Sequence, residues 1–275
     1  MKIAVVGAAG MVGSRVLSEA ARRGHDLLAV LRARRPAVQL AGVRARPGRA
    51  RRRPALRSVR PERTVPMKIA VVGAAGMVGS RVLAEAARRG HDLLAILRTR
   101  RPAVLPPGVG TAEADASDSL RMATLFAGTD TVVAAARPAP GQEHTVGAMT
   151  TALLDAAATA GTRVLVVGGA GPLHVPGGGL VLDDPRYVPP EYRAIAGASA
   201  AQLAVCRAHP AADWVYLSPP ALLEPGARTG GYRRGTTTLL TRPDGTSAIS
   251  AEDLATAVVD ELEDAGADRH FTVGY

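Results

Sequence analysis

Gly73, Gly76 and Gly79 stand at three-residue spacing directly after the apolar stretch Ile-Ala-Val-Val at residues 69–72, and Val78, Val82 and Ala86 then recur four apart up to Gly90. Residues of these types in this order can hold a pyrophosphate. The first glycine makes a tight turn, the second lets backbone approach the phosphates, and the third lets a helix pack closely on a strand. The free N–H groups at the start of that helix face the anion, an arrangement worth about 0.3–2 kcal/mol. Glycine triplets also occur in turns that bind nothing. Here a second apolar run at residues 93–97 completes a βαβ unit, and the whole unit reads as a dinucleotide site.

The end of the second strand chooses between cofactors, because an acidic residue there holds the adenosine ribose 2′-hydroxyl whereas an arginine accepts a 2′-phosphate. The chain places Arg98 there, with Arg100 and Arg101 close by, while Asp92 precedes the strand and falls at the opposite end of the sheet. NADPH is therefore expected ahead of NADH; the plainer alternative is that residues 98–101 form a solvated basic turn. Alcohol–ketone chemistry commonly uses a tyrosine with a lysine four residues on, the lysine lowering the tyrosine pKa so that it passes a proton to the substrate. Lys2 and Lys68 are the chain's only lysines, and none of Tyr187, Tyr192, Tyr216 or Tyr232 has one four positions later. That chemistry is disfavoured. A conjugated acceptor such as a flavin or quinone takes hydride into its own π system, so the protein mainly supplies position and a dry cleft. The other class open to such a chain is a sensor that binds NADP(H) without turnover.

On the substrate side, His174 reads equally as a proton donor near neutral pH or as a surface-loop histidine. Tyr192 is placed either to approach the nicotinamide or to pack at the rim, and Arg228 either to contact an anionic substrate or to stand exposed in its loop. Cys206 reads as a buried helix residue rather than a nucleophile. No metal is expected.

Positioning these residues takes a regular succession of elements. Residues 108–116 read as a short third strand, and Asp118 or Ser117 caps a helix over 120–126. A fourth strand follows at 131–135, then a helix over 143–160 with Met149, Leu153 and Ala157 on one face and Gly161 beyond its end. A fifth strand at 163–167 runs into a second glycine-rich turn at 168–171. The helix over 191–208 has Ile195, Ser199, Leu203 and Cys206 along one side, and a sixth strand occupies 214–217. Ser250 with Asp253 forms a capping box for a helix running through Leu262. Strands alternating with helices at these lengths specify an α/β fold with a doubly wound parallel sheet.

Composition narrows the rest. Aromatic residues make up 3% of the 275, so the core must be aliphatic, and the lone cysteine excludes an internal disulfide and suits a reducing cytoplasm. No apolar run approaches a membrane span and no signal sequence is read, so no membrane partner is expected.

Residues 1–38 recur as residues 67–104 with three differences, Ser18 for Ala84, Val30 for Ile96 and Ala33 for Thr99. Two near-identical copies are not a solenoid or a propeller. A tandem duplication, or a start codon placed upstream of Met67, explains them better. Between the copies, residues 39–66 are dense in arginine and proline and read as a disordered linker. Residues 1–66 hold 16 basic and 3 acidic residues against 18 and 21 in residues 67–275, so the basicity belongs to the extension. The arginine run has no interleaved aromatics on which bases could stack, and specific nucleic-acid binding is not expected. One βαβ unit alone leaves its sheet faces and edges unpaired, so the second copy is expected in the core. A monomer or homodimer is expected, with a dimer swapped through the first copy as the alternative.

The stretches at residues 68–79, 166–171, 214–226 and 271–275 together resemble the atypical short-chain dehydrogenase/reductase group of NAD(P)H-binding proteins and NADH-flavin reductases, related to biliverdin-IXβ reductases. The resemblance runs the length of residues 67–275 and implies a Rossmann-type domain there, preceded by a partial duplicate of its first βαβ unit. It further implies a cofactor lying over Gly73, Ala75, Gly76, Met77, Val78 and Gly79, with adenine near Asp115 and nicotinamide near Ala135, Gly168, Gly169 and Gly171. The group often carries serine after the second glycine turn, where this chain has Pro172.

Overall fold

The computed structural model describes residues 2–6, 26–30, 65–99 and 105–275, and the chain divides into two compact units, Met1–Glu62 and Arg63–Tyr275. In the first unit, strands β1 (Lys2–Val6) and β2 (Asp26–Val30) pair in parallel. The glycine loop and helix expected in the first copy, residues 39–64 of the expected linker, and Arg100 and Arg101 lie outside the described residues.

The second unit is built on β3 (Lys68–Val72), β4 (Asp92–Leu97), β5 (Gly110–Glu113), β6 (Thr131–Ala134), β7 (Arg163–Val167), β8 (Trp214–Ser218), β10 (Arg233–Gly235) and β12 (His270–Gly274). They form one sheet in the order β5-β4-β3-β6-β7-β8-β12-β10, parallel throughout except that β10 runs antiparallel to β12. Strands β3, β6 and β7 are aliphatic runs with nearly every residue buried, as a strand covered on both faces requires. The strand order reverses between β3 and β6, where open α/β sheets bind their ligands at the carboxyl ends.

Helices α1 (Met77–Arg88) and α5 (Ala251–Glu263) cover one face, and α2 (Ser119–Phe126), α3 (Val146–Ala160) and α4 (Arg193–Ala208) the other. Each face has its own aliphatic core, Val82, Leu83, Leu254 and Val258 above and Met122, Leu154, Leu203 and Cys206 below. Full burial of each larger side chain contributes about 1.5–3 kcal/mol. Asp118, not Ser117, caps α2, its carboxylate accepting from the Arg121 N–H at 2.9 Å. Ser250 caps α5 by accepting from the Asp253 N–H at 3.0 Å.

Three details depart from the sequence reading. Strand β5 is an exposed edge of four residues, shorter than expected and polar as edges tend to be. The helix over 143–160 opens with a 3₁₀ turn, Glu143–Thr145. On α4, Ala196 rather than Ile195 faces the sheet, and Ile195 is 41% exposed. This face of α4 lies close on the glycine turn, the Ala196 carbonyl oxygen standing 2.3 Å from where a Cβ on Gly171 would be. Short strands β9 (Leu222–Glu224) and β11 (Ala248–Ser250) form a separate parallel pair that the sequence pattern does not reveal. Among the described residues no helix is long and apolar enough to cross a membrane.

Candidate functional site

The loop between β3 and α1 is shaped by contacts that only glycine permits. Gly73 adopts φ +78°, and a Cβ there would lie 2.7 Å from the Ala135 carbonyl oxygen at the end of β6. A Cβ on Gly79 would lie 2.3 Å from the Gly73 oxygen, so the third glycine lets α1 settle onto the loop. Gly76 donates its N–H to the Gly73 carbonyl at 2.9 Å and stands exposed as the N-cap of α1. No side chain caps that helix and no acidic residue occupies its first turn. Helices α2 and α5 are capped by their own side chains, and α3 and α4 are entered through 3₁₀ turns. Helix α1 starts on bare amides directly from a glycine N-cap, with neither a side-chain cap nor a 3₁₀ turn before it, and Gly73 and Gly79 keep the loop beneath it free of side chains. This fits the phosphates of a dinucleotide. Ala75, Met77 and Val78 line the same turn, each half-buried.

Arg98 and Asp115 lie beyond the carboxyl ends of β4 and β5, both exposed. The Ser117 N–H, donating at 2.8 Å, and then the Ser117 side chain and the Arg98 charge hold the Asp115 carboxyl below its ordinary range. Asp92 begins β4 at the amino edge of the sheet, far along the strand from these groups.

The second glycine turn has a packing explanation of its own. A Cβ on Gly168 would fall 1.8 Å from the Tyr216 hydroxyl, and one on Gly169 2.9 Å from the Ser199 side chain. With Gly171 pressed against the Ala196 carbonyl, Gly169 and Gly171 let α4 settle on the turn and Gly168 makes room for Tyr216 of β8, whether or not a ligand binds. His174 is exposed, its backbone fixed by a 2.8 Å bond from its N–H to the Thr237 carbonyl and by the Leu239 N–H donating to its own carbonyl at 2.8 Å. Tyr192 is 38% exposed at the start of α4.

Two arrangements have little or no signal in the sequence. Ser218 Oγ and His270 Nε2 lie 2.9 Å apart on the buried face of β8 and β12, with His270 Nδ1 unpartnered. Burial first, then the charges of Arg207 and His174, push the His270 pKa down to about 4. Arg228 stands exposed in its loop, as the plainer reading had it, and its guanidinium is paired with α1. Its Nε donates to Glu85 Oε2 at 2.7 Å and one terminal nitrogen to Oε1 at 2.9 Å. Although burial raises the Glu85 pKa, bonds from Arg228, Arg88 and Arg89 outweigh it and hold the carboxyl far below its usual range. The two partners, Arg228 and Glu85, lie 143 residues apart in the sequence. Cys206 is buried and its thiol is pushed up to about 12, which removes it as a nucleophile. Tyr216 donates to the Ser199 carbonyl at 2.9 Å, and burial raises its pKa, so its hydroxyl belongs to the core.

An open groove of about 650 Å³ lies between the C-terminal halves of α3 and α4, lined in part by Asp155, Val205 and His209. It opens toward the amino ends of the strands, away from the glycine loop.

A family model described as NAD(P)H-binding matches residues 73–265. The Bacillus subtilis (strain 168) protein YwnB, itself uncharacterised, is 38% identical over 201 residues, which cover 72% of this chain and 92% of that protein. A solved structure from Bacteroides thetaiotaomicron, described as a candidate epimerase, is 32% identical with a TM-score of 0.70 over 77% of this chain and 98% of its own. Another, from Streptococcus pneumoniae TIGR4 and described as a candidate NADH-flavin reductase, is 27% identical with a TM-score of 0.65 over 76% and 99%.

Proposed function

Since the chain belongs to the NAD(P)H-binding family, we propose that it is an NADPH-dependent reductase delivering hydride to a conjugated small-molecule acceptor such as a flavin or quinone. The observation that carries this reading is the bare N-terminus of α1 within the cradle of Gly73 and Gly79, at the point where the strand order reverses. The name of the Streptococcus relative supports the acceptor class.

Bound nicotinamide supplies the hydride. In this reading the amides of Met77 and Val78 orient the pyrophosphate, and Arg98 faces the 2′-phosphate that distinguishes NADPH. Ala135 and the turn at residues 168–171 flank the nicotinamide end. The proton comes from solvent or from the exposed imidazole of His174, because the Tyr216 hydroxyl is held by the Ser199 carbonyl.

The test is titration of the full chain with NADPH and NADH, followed by NADPH oxidation with flavin and quinone acceptors, beside Gly76→Asp. Asp is a favoured N-cap residue and the backbone of Gly76, φ −74° and ψ 170°, accepts it, so the variant should unfold at the wild-type temperature. Its carboxylate occupies the phosphate position, and NADPH binding should be lost. Binding and turnover in the wild type, both absent in the variant, support the reductase. Binding without turnover across acceptors identifies a sensor, and no binding of either cofactor removes the reading.

A further inference from the structure

We infer that residues 1–38 are a standby copy of the first βαβ unit, with β1 and β2 fitted to the edges of β6 and β5, and that they take the place of residues 67–104 when those are damaged. The partner for this surface is the chain's own sheet, and the exchange does not depend on which reaction the protein performs.

The surfaces match residue for residue. Strands β1 and β2 pair from Lys2↔Asp26 to Val6↔Val30, the same register that β3 and β4 keep from Lys68↔Asp92 to Val72↔Ile96. In the second unit β3 goes on to pair with β6, from Ile69↔Thr131 to Val72↔Ala134, and β4 with β5, from Leu94↔Gly110 to Leu97↔Glu113. Among the described residues β1 and β2 make a sheet of two, so the corresponding outer edges have no strand beside them. Such edges are templates for pairing. In sequence Val16, Leu17 and Ala20 correspond to Val82, Leu83 and Ala86, which pack in the core that α5 covers, and Glu19 corresponds to Glu85, the partner of Arg228.

The three differences and the connection to β5 decide which copy is favoured. Ala84 and Thr99 are exposed, so Ser18 and Ala33 in their places disturb no packing. Ile96 is 1% exposed, and Val30 in its place lacks one buried methylene, which favours the resident copy by about two- to twelvefold. The link to β5 is residues 98–109 from β4 but would be residues 31–109 from β2. That loop is about six to seven times longer, and its closure favours the resident copy by roughly 17-fold more. The standby copy therefore holds the place in roughly one molecule in 30 to one in 200. Gly76→Asp spares the packing of the resident copy, so the exchange stays rare in that variant and its site stays lost at cofactor concentrations that saturate the wild type.

Urea unfolding of the full chain tests the exchange, followed by the fluorescence of Trp214, the chain's only tryptophan, on β8. Val71 is fully buried between Ala95 and Val133, and an aspartate there unseats the resident copy. Val5→Asp by itself should leave the transition unchanged. Val71→Asp should lower the folding constant about 30- to 200-fold and no further, whereas Val5→Asp added to it should leave no folded baseline. Val30→Ile should raise the folding constant of Val71→Asp about two- to twelvefold and leave the wild type as it is. In deuterium exchange of Val71→Asp, the peptide carrying Ser18 should become as protected as the one carrying Ala84 is in the wild type. A Val71→Asp chain that fails to fold, or that unfolds like the double variant, would overturn the inference. So would indifference of Val71→Asp to Val30→Ile, or no gain of protection around Ser18.

Discussion

In the proposed reading Arg98 carries the choice of cofactor on one side chain. Replacing it with Ala should weaken NADPH by about tenfold or more, as loss of a charge-assisted bond does, and leave NADH unchanged. Fluorescence titration of both cofactors measures this, and equal losses would show that the guanidinium does not meet the 2′-phosphate. His270 governs a different property. Its folded pKa of about 4 lies below its ordinary 6.5, so the unfolded chain takes up the proton first. Stability is therefore complete above pH 6.5 and is lost as the pH falls through 4, by about 3 kcal/mol in all. Urea unfolding at pH 7.5 and pH 4.5 should show that loss in the wild type and a smaller one in His270→Gln. Parallel losses in the two proteins would clear His270 of the effect.

Helix α4 and the turn it covers form a unit of packing in which glycine is obligatory. Gly168→Ala should cost about 1–3 kcal/mol, the ordinary range for overpacking, because the new methyl meets the Tyr216 hydroxyl and ring. Tyr216→Phe should not rescue it, since Cζ also lies only 2.0 Å from that Cβ position, whereas Tyr216→Leu should make the two substitutions less than additive. Strict additivity in urea unfolding would refute the clash. The elements legible in the sequence were those with local causes. The β-branched run of β7, the glycine after α3 and the Ser250 cap each act within a few residues of themselves. The phase of α4 was misread because Ile195 is the more apolar residue, while the face that meets the glycine turn is the one bearing Ala196 and Ser199. Arg228 and His270 were beyond local reading, since the partners of both arrive from other elements, Glu85 on α1 and Ser218 on β8. Of the candidate site, the glycine loop was legible because its spacing states its geometry. The packing role of Gly168, Gly169 and Gly171 was not, because it depends on Tyr216, Ser199 and Ala196.

At the scale of the whole chain, each relative described above matches over 92–99% of its own length but only 72–77% of this one. The family model matches from residue 73 on, so the first copy of the glycine motif lies outside that match. Gly10→Asp should leave NADPH affinity of the full chain unchanged where the same change at Gly76 abolishes it, and a loss at Gly10 would assign binding to the first copy. The bare start of α1 has one more consequence, for protection of the backbone. Amides with no internal acceptor exchange their hydrogens readily with solvent until something covers them. A dinucleotide whose phosphates accept from those amides completes the helix as a cap does, so deuterium uptake over residues 75–79 should fall on adding NADPH while α2 and α5 stay as they were. Because only the folded chain offers this surface, NADPH at a hundredfold excess over its Kd would stabilise the domain by about 2.7 kcal/mol, making cofactor supply part of the folding equilibrium.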